Sequence, residues 1–290
     1  MKKIENILFQ LFLSENTRMQ IEKRILNIAL LSFIVHLLII AAKEYNLIFK
    51  ETSLHLLESP IAAIYTPFSF ILIYEVYLLI YYLPKSFTIY INKQYEIITL
   101  IIIRKLFQDL SLLELTSNWF EVKGDIKFTY DIIASLLLFF LIYLFQKQST
   151  QNPNILKERK IEIGKFIRKK KMIAVFLVPL FFSMALFTLV SWGIELYEAP
   201  KVIPSFEKLD NLFFEQFFMV LILVDVILLL ISFFYTHQFH KIIRNSGFIV
   251  STILIRMSFG VSGLVSTILI VVAVIFGLAI LNIHNKYEQQ

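Results

Sequence analysis

The chain is expected to be an all-α polytopic membrane protein of about eight spans, built as two tandem four-helix halves. Three observations predict this. Hydrophobic residues make up 58% of the 290 residues and charged residues only 17%. A soluble domain is nearer half apolar and a quarter charged, so one soluble core could not bury this much apolar surface. Several apolar runs approach the ~20 residues that a helix needs to cross hydrocarbon. Runs such as Leu136–Leu144 also lack the alternation of a transmembrane barrel. Finally, one charge motif occurs twice: Glu75 is followed by Arg104, and Asp225 by Arg256. Ionisable groups are costly in hydrocarbon and persist where they are paired, wet or functional.

Residues 1–24 form the first element. Ile4, Ile7, Leu8, Leu11 and Phe12 recur at helical spacing, with Lys2, Lys3, Glu5, Gln10 and Glu15 elsewhere. This is an amphipathic helix, either lying on the membrane surface or capping the bundle. No Ala-x-Ala-like cleavage pattern follows, so the first apolar helix is expected to remain as an anchor.

The first half covers 25–146. Its spans are 25–42, then 60–83 between Pro60 and Pro84, then 91–115, then 128–146. The third is ambiguous, because its isoleucines are mixed with Lys93, Glu96, Arg104, Lys105, Asp109 and Glu114. A basic linker occupies 147–171, and the second half covers 172–290. Its spans are 172–194, 211–236, 246–259 and 263–283, the last two divided at Gly260 and Gly263.

Lysine and arginine in short loops set orientation. The linker carries nine of them, including Lys165, Arg168, Lys169, Lys170 and Lys171, and is expected to be cytoplasmic. The N-terminus, with Lys2, Lys3, Arg18, Lys23 and Arg24, belongs on the same side. An even number of crossings must separate them, which favours a real span or deeply inserted helix at 91–115. The expected location is the plasma (inner) membrane, multi-pass, with both termini cytoplasmic. The net charge of +6 is explained by these loops rather than by nucleic acid. The implied partners are the lipid bilayer and anionic lipid at the cytoplasmic face.

The halves align best as 97–104 (IITLIIIR) against 249–256 (IVSTILIR). With an even number of spans per half, the repeats would be parallel, related by an axis along the membrane normal. Counting from the expected inner span ends, Asp225 and Arg256 lie at about 16 and 15 Å and could meet. Glu75 and Arg104 differ by about one turn, which a long arginine can bridge. Functionally, Glu75, Arg104, Asp225 and Arg256 would line a polar path for an ion, proton or small solute. Structurally, each pair would only fix helix register.

Other features carry less. His237 and His240 form a His-x-x-His step that could share a metal, but no third ligand is within sequence reach, so no metal is expected. His36 could shuttle protons or simply bond a neighbouring helix. Gly263, Ser266, Thr267, Ala273, Gly277 and Ala279 give the last span small-residue spacing, for packing inside the bundle or between protomers of a homo-oligomer. Pro67 and Pro179 lie inside spans and can kink them. There are no cysteines, hence no disulfide or thiolate chemistry. Phosphate-loop, zincin and serine-hydrolase motifs are absent. No cofactor, no catalytic residue and no enzymatic activity are expected. The leading reading is a channel or secondary transporter; the alternative is a non-transporting scaffold or assembly subunit.

Overall fold

A computed structural model of the chain describes residues 2–45, 60–111, 123–150, 160–198, 206–235, 238–258, 261 and 264–288. Among these there is no strand. The helices are α1 (Lys2–Leu13), α2 (Glu15–Glu44), α3 (Tyr65–Tyr82), α4 (Phe87–Ser111) and α5 (Lys123–Thr150). They continue as α6 (Lys160–Glu198), α7 (Phe206–Phe233), α8 (Phe239–Ser258) and α9 (Leu264–Glu288), and a 3-10 turn, Pro60–Ile64, precedes α3.

Eight long helices therefore follow a short first one, as the hydropathy pattern requires. Five stretches are long and apolar enough to cross a membrane: Ile7–Glu44, Phe128–Ser149, Gly164–Phe187, Gln216–Phe233 and Val265–Glu288. Thr66–Tyr82 is a shorter apolar helix. Large apolar side chains remain exposed along these helices, including Leu30, Leu38, Leu136, Phe140, Phe176 and Phe187. Apolar surface on this scale marks a protein that contacts lipid or partners.

Side-chain contacts fix the direction of the helices. Arg18, near the start of α2, reaches the Tyr82 hydroxyl at the end of α3 at 3.5 Å. Lys170, near the start of α6, donates to the Lys85 carbonyl between α3 and α4 at 2.9 Å. Phe166 of α6 packs on Tyr235, just beyond α7. Asn285 of α9 donates to the Gln148 carbonyl at the end of α5 at 3.2 Å. The starts of α2, α4, α6 and α8 thus share one face with the ends of α3, α5, α7 and α9. Successive helices alternate in direction, so α4 is a full member of the bundle.

Some boundaries move. The third span is α4, shifted from 91–115 to 87–111, and the seventh begins at Phe239 instead of 246. Helix α8 is described to Ser258 and α9 from Leu264, and Gly260 and Gly263 lie outside the described residues. The described residues of the basic segment are helical: α5 runs to Thr150 and α6 starts at Lys160. Its lysines continue the helix by laying their cations on aromatic rings. Lys171 lies 4.5 Å from the Phe9 ring centre, Lys169 5.3 Å from Tyr235, and Lys170 4.2 Å from Phe87.

Helix α1 packs against α2 and α6 and closes the basic face. Leu13 is buried, and the Phe12 carbonyl accepts from the Tyr77 hydroxyl at 2.9 Å. That is the capping arrangement. Ser14 ends α1 and starts α2, its hydroxyl accepting from the Thr17 N–H at 3.1 Å. This is the side-chain cap that the orphan N–H groups of a helix start require.

The small-residue face of α9 turns inward: Ser266, Ala273 and Gly277 are buried against α5 and α8, while Ala279 is exposed and Gly263 lies outside the described residues. Gly277 has a specific reason to be glycine. A β-carbon there would collide with the hydroxyl of the fully buried Tyr95 on α4 and stand 3.0 Å from its ring carbon Cζ. Gly277→Ala is therefore expected to destabilise the protein by about 1–3 kcal/mol, the usual cost of overpacking. Thermal unfolding in detergent should show the loss. Tyr95→Phe in the same background should recover part of it, because the hydroxyl is the atom in the way. Pro179 lies inside α6, whereas Pro67 falls in the first turn of α3, where no helical bond is lost.

Candidate functional site: two unlike buried acids

Asp225 and Arg256 meet. Arg256 Nη2 is 3.0 Å from Asp225 Oδ2, and the two side chains are 3% and 1% exposed. The two residues do not lie at equal depths in their helices. Asp225 is 8 residues from the end of α7, whereas Arg256 is 17 residues into α8. That nine-residue difference, about 14 Å of helix, is taken up by an axial offset of the two helices and by the arginine's reach.

Helix α4 completes this knot. The Tyr90 hydroxyl donates to Asp225 Oδ1 at 2.9 Å, and Gln94 Nε2 to Oδ2 at 3.5 Å. Arg256 Nη2 also donates to Gln94 Oε1 at 3.1 Å. Tyr90 and Gln94 stand one turn apart and so present one face to α7 and α8. The next residue, Tyr95, donates its hydroxyl to Ser251 Oγ at 2.7 Å, and the Ser251 hydroxyl donates to the Ala273 carbonyl at 2.6 Å. The carboxylate is enclosed and multiply bonded; only Arg256 Nη1 lacks a partner among the described residues. The marginal hydropathy of α4 now has a cause. Its Tyr90, Gln94 and Tyr95 are buried and bonded inside the protein, while Lys93, Glu96 and Arg104 are partly buried.

Glu75 is different. It sits on α3, 7% exposed, and its Oε2 has no hydrogen-bond partner. The expected pair with Arg104 is not formed. The charges that act on Glu75 are Lys93, Glu96 and Glu22. Arg104 is partly buried, eight residues beyond Glu96 on α4, or about 12 Å along the helix. The separations in sequence are nearly equal in the two halves, 29 residues for Glu75–Arg104 and 31 for Asp225–Arg256. What differs is the competitor: in the 97–104/249–256 alignment, Lys93 and Glu96 correspond to Asn245 and Phe248. The first half offers its acid a nearer cation, and the second does not.

Around Glu75 lies a partly exposed polar group that sequence reasoning missed. Glu96 accepts from Lys93 Nζ at 2.7 Å, from Gln146 Nε2 of α5 at 2.7 Å and from Asn92 Nδ2 at 3.2 Å. Glu22 of α2 accepts from the Tyr74 hydroxyl at 2.8 Å. The Asn92 side-chain oxygen is buried without a partner. Acidic side chains from three helices, Glu22, Glu75 and Glu96, thus lie within one another's field with Lys93 among them, and two buried acceptor oxygens are left over. The group runs inward from the basic face, its outer members half-buried and Glu75 innermost.

Two further residues escaped the sequence reading. Asp131 of α5 is buried; its Oδ1 accepts from Thr267 of α9 at 2.8 Å and its Oδ2 has no partner. Lys170, counted as linker, is 1% exposed. His36 bonds Thr66 at the start of α3, the interhelical role. His237 lies outside the described residues.

Comparison with protein families, curated proteins and solved structures gives no match.

Proposed function

We propose that the protein is a membrane channel or secondary transporter for a cation or proton, with Glu75 as the group that exchanges it. The observation that carries this reading is the Glu75 carboxyl: buried, with one oxygen unsatisfied, among more carboxylates than cations. A buried acceptor without a donor costs about 1–3 kcal/mol and is kept where it serves a purpose. A proton or a bound cation supplies the missing positive partner. Glu22, Lys93 and Glu96 give a hydrated approach from the basic face, which the positive-inside rule assigns to the cytoplasm. On this reading both termini are cytoplasmic.

In the same proposal the Asp225–Arg256–Gln94–Tyr90 knot is a fixed pivot between the halves. Two aspects of the packing support a duplicated origin: α4 lies against α8, and α5 against α9. These are the self-equivalent contacts that a twofold axis between halves produces. The divergence of Glu75 from Asp225 then marks one half for transport and the other for structure.

The test is flux in proteoliposomes made from the full chain. Proton and monovalent-cation gradients should dissipate faster than in protein-free vesicles. A second reading, a non-transporting scaffold, is favoured by the enclosed Asp225–Arg256 pair, which resembles a structural clip. Flux at the protein-free rate under every gradient would leave that scaffold as the better account.

A further inference from the structure

A second cluster lies at the basic face, apart from Glu75. His240 stands in the first turn of α8, and His284 and Glu288 in the last turns of α9. The antiparallel α8–α9 packing brings these ends together, and each residue offers a ligand atom within 4.8 Å of the others. The imidazole rings of His240 and His284 are stacked, centres 5.2 Å apart. His284 and Glu288 are four residues apart, on one helix face, with Nε2 3.3 Å from Oε1.

We propose that His240, His284 and Glu288 bind a divalent late transition metal, zinc being the type case. Two imidazoles and one carboxylate form a ligand set that such ions take, with a fourth position left for water. The cation now at this place is Arg244. Its Nη1 is 2.8 Å from His284 Nε2. Because a guanidinium only donates, Nε2 must present its lone pair, the tautomer that a metal needs. The proton then belongs on Nδ1, which is buried without a partner. The His284 lone pair already faces one positive group, with the Glu288 carboxylate 3.3 Å from the same nitrogen, and a metal ion answers the same electrostatics at shorter range. Arg244 can yield, because its Nε and Nη2 are separately held by Asn245 Oδ1 at 3.2 and 3.1 Å. Releasing Nη1 leaves that anchor in place. Lys241, also in this region, adds positive charge that the bound ion must overcome, which favours a strongly coordinating metal over calcium or magnesium.

The experiment is Zn2+ and Co2+ titration of the full chain, purified in detergent with a histidine-free affinity tag. One Zn2+ per chain should bind, and Co2+ should give the visible absorption of a four-coordinate site. His240→Ala and His284→Ala should each weaken binding by at least about ten-fold, the loss seen when even a supporting partner is removed. Glu288→Gln, at the partly exposed end of α9, should weaken it without disturbing the core. Arg244→Gln removes the competing cation and should tighten binding, a result that a merely structural cluster does not give. The proposal is overturned if neither wild type nor Arg244→Gln binds saturably. It is equally overturned if binding survives both His240→Ala and Glu288→Gln unchanged.

Discussion

Glu75→Gln is expected to reduce cation or proton flux by at least ten-fold while the protein remains folded. The substitution keeps the size of the side chain and removes only its ability to ionise. Burial already leaves one Glu75 oxygen unsatisfied, and the amide replaces it with a donor that the neighbouring acidic side chains can accept. The fold should therefore hold or gain slightly, since the amide carries no charge to desolvate. Flux and stability then move in opposite directions. A group kept for packing would move them together, or move stability alone. The measurement pairs proteoliposome flux with unfolding in SDS-mixed micelles on the same preparation. Unchanged flux in a correctly folded Glu75→Gln protein would remove Glu75 from any transport path. Glu75→Asp serves as a control: it keeps the charge, shortens the reach, and should retain partial flux.

The second large effect concerns Asp225. Asp225→Leu should destabilise the protein by about 3–5 kcal/mol, because it strands Arg256 with no carboxylate in a buried place. Tyr90 and Gln94 lose their acceptor at the same time. The double variant Asp225→Leu/Arg256→Met should recover most of that loss, since an apolar pair of similar volume carries no desolvation penalty. The recovery is measured by a double-mutant cycle, with Arg256→Met as the fourth corner. If the double variant also keeps its flux, the knot is a fastening. If it folds but carries no flux, the path runs through the second half as well, and Glu75 is not the sole exchanging group.

Much of this architecture can be read in the sequence because hydrophobic periodicity and loop charge are local signals. Eight apolar segments became eight helices, and the last apolar block divides into α8 and α9. The even-crossing requirement kept α4 in the bundle despite its charges. Asp225 and Arg256 were matched because each is the lone ionisable group in the middle of its helix. Other features depend on how nonadjacent helices rotate against one another, which no local pattern records. Glu75 lies in the field of Lys93 rather than paired with Arg104, and nothing in either helix's own sequence decides between them. Tyr90 and Gln94, one turn apart, did carry a readable hint: two polar groups on one face of an otherwise apolar helix. Lys170 sat in a run of similar lysines and gave no sign that it alone is buried. The third ligand for His240 was invisible because it lies 44 residues away, on α9.

The burial of α4 has a consequence for how the protein is made. The polar groups of its Tyr90, Gln94 and Tyr95 find their side-chain hydrogen-bond partners on α7 and α8, which are synthesised later. A nascent chain ending after α5 would leave these groups without their partners in an apolar setting, where polar side chains are poorly tolerated. The first four spans therefore cannot settle as a finished unit. During biosynthesis α4 must wait at the interface, be held by an insertion chaperone, or be drawn in late as the last three helices arrive. A chain cut in the linker should be degraded, and the two halves co-expressed as separate pieces should protect each other.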